Sequence, residues 1–103
     1  MINKYILQDK IPVLETDLKK WSDWFENTDR MVAEDVIREF GIGTYFLGLD
    51  RGWHGAIELF ETVVLDENNE VLYQRTYSNW VDAETGHYEM VQFYLKQSPQ
   101  NIN

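Results

Sequence analysis

"RMVAEDVIREFGIGTYFLGL", residues 30–49, decides the fold, because it reads two ways. Val32, Val36 and Phe40 recur at helical spacing, whereas Val32, Glu34, Val36 and Arg38 also line one side of a strand. The β-branched and aromatic residues that follow, with two glycines among them, favour strands joined by a hairpin turn near Glu39 to Gly43. A strand is the preferred reading of 30–40, with a helix as the alternative.

The segments on either side sort more readily. Downstream, "IELFETVVL" and "VLYQRTY" flank the polar reversal "DENNE", a hairpin signal. "SNWVDAETGHYEMVQFYLKQ" then reads as a helix capped by Ser78 or Asn79. Its Asp82 and Glu84 sit near the start and Lys96 near the end, as the helix dipole favours. Ala83, His87, Met90, Val91 and Tyr94 share one face, and Gly86 implies close packing against a neighbour. Upstream, "KYIL" at 4–7 is a short β-type run, and Pro12 breaks the chain. "LETDLKKWSDWFENTDR" is a helix capped by Thr16 or Asp17, with a core-facing stripe of Leu18, Trp21, Trp24, Phe25 and Thr28. The predicted order is β-α-β-β-β-β-α. This is an α+β fold, an antiparallel β-sheet of about four to five strands with two helices packed on one face. Residues 1–97 are expected to form a single compact domain and 98–103 a frayed tail.

Composition narrows the function classes. Aromatics make up 15 % of 103 residues, four of them tryptophan. Each large side chain fully buried contributes about 1.5–3 kcal/mol, so a core without disulfides is feasible. No cysteine is present, which excludes disulfide scaffolds, thiolate metal sites and cysteine nucleophiles. No run is long enough to span a bilayer, and the first ten residues lack a signal-peptide core. The expectation is a soluble, cytoplasmic protein with no membrane partner. The formal net charge is −9. Between Gly52 and Leu95 the only base is Arg75, against Glu58, Glu61, Asp66, Glu67, Glu70, Asp82, Glu84 and Glu89. Direct nucleic-acid binding is disfavoured, since phosphates are bound by Lys and Arg. A basic protein partner, or solubility alone, is the natural counterpart of such a charge.

No set of residues assembles a reaction. Nucleophile elbow, P-loop and dinucleotide fingerprint are all missing. Glu84 and His87 form an E-x-x-H pair, the spacing of di-iron carboxylate sites, but the first helix offers no matching histidine. The pair is a weak metal candidate, and a histidine bonded to a backbone or side-chain acceptor is the simpler reading; no cofactor is expected. The remaining candidate is the loop in "FLGLDRGWHG", which gathers Asp50, Arg51, Trp53 and His54 between glycines. Loops on rigid scaffolds carry much of protein function, and Trp and Arg dominate binding hot spots. Two readings stand side by side: a contact loop, or a turn in which Asp50 and Arg51 pair locally while Trp53 folds onto the core.

"YFLGLDRGWHGAIELFETVVL" and "YSNWVDAETGHYEMV" resemble a family of small tailed-phage and prophage proteins. Its pattern joins a strand ending in F-L-G-L-D-H to L-F-E-T-M and then to R-Y-S-T-W-E-E-A-E-A-G-H. The segments Phe46 to Asp50 and Leu59 to Thr62 match it, as do Tyr77, Ser78, Trp80, Ala83, Glu84, Gly86 and His87. "DLKKWSDWFENTDR" is similar to the family's opening helix. The chain departs at Arg51, where the family often has histidine, at Asn79 and Val81, and in a loop without proline. The resemblance implies a phage-type origin, hence the host-cell cytoplasm, and a strand over 30–49. It names no reaction. The leading expectation is a non-enzymatic accessory protein acting through protein–protein contacts, with a homodimer compatible. The alternatives are an inhibitor of a host nucleic-acid-binding defence enzyme with a nucleic-acid-mimicking acidic surface, and a small enzyme or metal protein using His54, His87 and carboxylates.

Overall fold

The computed structural model describes residues 2–52 and 55–97. Trp53, His54 and the expected tail at 98–103 lie outside the described residues. The elements are β1 (Tyr5–Gln8), β2 (Ile11–Leu14), α1 (Leu18–Asn27), β3 (Met31–Ile37), β4 (Phe40–Phe46), β5 (Phe60–Leu65), β6 (Val71–Tyr77) and α2 (Trp80–Lys96). The fold is α+β. An antiparallel four-stranded sheet runs in the order β3-β4-β5-β6, and β1 and β2 form a separate two-stranded hairpin. Among the described residues no helix is long and apolar enough to cross a membrane.

The stretch at 30–49 is strand, but its turn falls earlier than the glycines suggest. Ile37 pairs with Phe40, so the reversal is Arg38–Glu39, with Arg38 at φ 55°. Gly41 and Gly43 therefore sit inside β4. Pro12 likewise does not break the chain; it lies in β2 opposite Leu7. Asp9 and Lys10, at φ 50° and 70°, form the two-residue turn that primed hairpins require. The pair flanking such a turn, Gln8 and Ile11, exchanges the hydrogen bonds. The next pair points its amides outward, where proline's missing N–H costs nothing. "DENNE" closes the β5–β6 hairpin as expected. Asp66 accepts from the amides of Asn68 and Glu70 at 2.8 and 2.9 Å, and Asn69 takes φ 63°.

Alternation along the strands gives the sheet two unlike faces. Ile42, Thr44 and Phe46 of β4 stand opposite Val64, Thr62 and Phe60 of β5 on one face, and all six are buried. Asn79 caps α2 by accepting from the Asp82 amide at 2.8 Å, and α2 lays Ala83, Gly86 and His87 on this face. Phe46 and Phe60 meet at 5.1 Å between centroids, and Trp80 stands edge-on to Phe60. The first helix reaches the same face through Trp24, edge-on to Phe46. It lies at the rim and buries none of its residues completely. Asp17 caps α1, accepting from the amides of Lys19 and Lys20. The indole of Trp21 donates to the carbonyls of Tyr5 and Gly48, tying the β1–β2 hairpin to the end of β4. Leu18 and Thr28 do not belong to the core stripe: Leu18 is exposed in the first turn, and Thr28 is the C-cap.

Gly86 fixes the distance between α2 and the sheet. A Cβ there would overlap the ring and hydroxyl of Tyr77. Gly86→Ala is therefore expected to destabilise the protein. The overlap costs about 1–3 kcal/mol, against roughly 1 kcal/mol gained in helix propensity. Urea denaturation measures the balance, and an unchanged or raised midpoint would contradict this packing.

Candidate functional site

Beneath α2 a chain of polar side chains crosses the whole sheet, one from each strand. Tyr77 of β6 donates its hydroxyl to Thr62 of β5 at 3.0 Å. Thr62 and Thr44 of β4 share a hydrogen bond of 2.5 Å, and Thr44 lies 2.7 Å from His87 Nδ1. His87 Nε2 meets Asp35 Oδ2 of β3 at 2.8 Å. One proton arrangement uses every donor: Tyr77 to Thr62, Thr62 to Thr44, Thr44 to Nδ1, and Nε2–H to Asp35. It assigns His87 the Nε2–H tautomer.

An Asp–His–hydroxyl sequence is also how hydrolases activate a nucleophile. Here Thr44 and Thr62 are 0 % exposed and His87 only 4 %. The hydroxyl has no room for a substrate, and the chain acts as an internal brace. Glu84 and His87, the weak E-x-x-H candidate, point apart, and the simpler reading of a histidine bonded to a side-chain acceptor is what the structure shows. His87 turns inward with both nitrogens engaged, while Glu84 is exposed, facing a cavity it lines with Lys10, Asn79 and Trp80. Among the described residues no three His, Cys, Asp or Glu side chains converge as a metal site would need.

Asp50 organises the loop after β4. Its Oδ1 accepts from the amides of Gly52 and Glu58, at 2.9 and 3.2 Å. Arg51 sits 3.8 Å from Glu61, whose carboxylate is almost completely buried on the face opposite α2. Glu61 also accepts from the Tyr45 hydroxyl at 2.8 Å and, more weakly, from Gln74 at 3.5 Å. Burial first, then the hydrogen bond and charge of Glu61, push the Tyr45 phenol above its ordinary 10.0. Burial raises Tyr77 as well. Of the four loop residues, Asp50 and Arg51 are thus shown in local pairing. Trp53 and His54 lie outside the described residues.

The sequence reading missed the open face of the sheet. Gly41 and Gly43 leave a bare trough along β4, and an added Cβ at either would meet nothing within 4 Å. Glu34 and Val36 of β3 wall one side, Val63 and Leu65 of β5 the other, with Met31 and Tyr45 at one end; the trough encloses about 290 Å³. Val36 is 75 % exposed. Its sequence signal was the pair of glycines, which read more simply as a turn. The acids, by contrast, are dispersed. Asp17 caps α1, Asp35 holds His87, Asp50 and Asp66 form turns, and Glu61 is buried.

No family model, no curated protein and no solved structure matches the chain.

Two outcomes are expected. Thr44→Val keeps the shape but removes a donor to His87 and an acceptor for Thr62. Leaving such groups unpaired costs about 1–3 kcal/mol, readable as a lower urea midpoint with an unchanged slope. Tyr45 supplies the second. The unfolded phenol ionises at its ordinary 10.0, the folded one above it. Stability is therefore full below that value and falls as pH rises through the folded pKa. Near-ultraviolet phenolate absorbance should show two late-titrating tyrosines, of which Tyr45→Phe removes one and leaves Tyr77.

Proposed function

We propose that this chain is a non-enzymatic accessory protein of phage or prophage type, which works by holding another protein against the open face of its sheet. The observation carrying this reading is the trough over Gly41 and Gly43, with exposed apolar walls on a rigid scaffold. Among the described residues, the two buried side chains best suited to chemistry are meanwhile committed to internal hydrogen bonds: His87 to Asp35 and Thr44, Glu61 to Tyr45. Resemblance of the L-G-L-D, L-F-E-T and A-E-x-G-H segments to phage proteins supports the origin. Arg51 and the loop behind it border the Tyr45 end of the trough through Glu61. Asp50 and Arg51 are accordingly proposed to shape the rim, with Trp53 and His54 as contact residues.

Gly43→Val tests the reading cleanly. A Cβ at this position meets nothing within 4 Å, so a valine side chain projects into the trough, and β-propensity favours it over glycine by up to about 1 kcal/mol. The variant should fold at least as stably as the parent and lose its partner in cross-linking and co-purification. Light scattering on the parent distinguishes a second copy of the chain from a different protein. Retained capture by a folded Gly43→Val would sink the proposal.

A further inference from the structure

We infer that the occupant of the trough is an extended, basic segment of another protein. Its aliphatic side chains would seat on Gly41 and Gly43, and a lysine or arginine would reach Glu34. This rests on the reading of the open face as a docking surface and adds the chemistry of what docks.

Shape supplies the first argument. From Gly41 to Tyr45 the floor runs about 14 Å, at roughly 3.4 Å per strand residue, which is the length of about four extended residues. Val36 on one side, with Val63 and Leu65 on the other, gives aliphatic walls to this floor.

Charge supplies the second. Glu34 stands directly opposite Gly43 in the register, exposed, and forms no ion pair among the described residues. Because the strands alternate in direction, the β3–β4 and β5–β6 turns lie at the same end of the trough. They add exposed Glu39, Glu67 and Glu70. The one base in those turns, Arg38, reaches to the other side of the sheet, where its guanidinium donates to the Tyr94 carbonyl of α2. At the far end Arg51 is paired with Glu61. The trough is thus apolar along its walls, negative at its rim and neutralised at its Tyr45 end. A lysine or arginine suits both surfaces at once, laying its methylene stem on the wall and its charge on the carboxylate. A glutamate-bearing segment would meet like charge along the same rim.

The test uses the isotope-labelled protein and two length-matched peptides, one alternating lysine with valine, the other glutamate with valine. The amide signals of Gly41, Gly43 and Val63 are followed by NMR. The lysine peptide should shift these signals saturably, more weakly as salt is added. Glu34→Gln should weaken the response about two- to five-fold, the scale of one exposed ion pair, and the glutamate peptide should leave the signals in place. Equal responses to both peptides would overturn the basic partner and leave the docking surface standing. Silence at Gly41 and Gly43 with both peptides, at concentrations up to about 1 mM, would overturn both.

Discussion

The brace from Asp35 through His87, Thr44 and Thr62 to Tyr77 is the interaction on which the rest of the structure depends. It takes one side chain from each strand of the four-stranded sheet and ties them to α2. Apolar packing around it, led by Phe46, Phe60 and Ala83, supplies most of the driving force, but apolar contact is non-directional. The polar chain supplies direction. Each threonine hydroxyl has one neighbour to donate to and one to accept from, so α2 can sit at one height and one rotation. Gly86, closed onto Tyr77, leaves no slack in that position.

Once both helices lie on this face, the chemistry of the other face follows. Its residues need not pack against a helix, and the central strand can carry two glycines there. Where a charge is buried on that side it is surrounded: Glu61 has Tyr45, Gln74 and Arg51 around its carboxylate. Asp50 holds the loop that brings Arg51 to that spot, through the amides of Gly52 and Glu58. Asp50 and Arg51 of "FLGLDRGWHG" are thereby connected to the open face of the sheet.

Local signals in the sequence revealed the α+β class and most of the elements, and hid β2 and the position of one turn. Caps, the aromatic spacing of α1, and "DENNE" between β-formers are short-range chemistry, and each appears where it was expected. Glycine misled because it has two opposite uses: Gly41 and Gly43 looked like a turn but lie in a strand, while the true turn uses Arg38 and Glu39. Pro12 misled because its tolerance depends on which way one amide points, which only the pairing register determines. The brace was invisible. Thr44 and Thr62 are ordinary strand residues, and nothing local marks them as partners of a histidine on the second helix.

The sequence separations within the brace carry a kinetic consequence. His87 bonds to Thr44 across 43 residues and to Asp35 across 52, whereas β3 and β4 close over a two-residue turn and β5 and β6 over the short "DENNE" reversal. Loop closure makes such distant contacts slow to form, so the hairpins are available first and α2 joins a sheet already aligned. Until it arrives, the hydroxyls of Thr44 and Thr62 are hydrated, and the aromatic face of the sheet is as wet as the glycine-bearing one. The docking of α2 is therefore a single late event that dries one face and leaves the other in water.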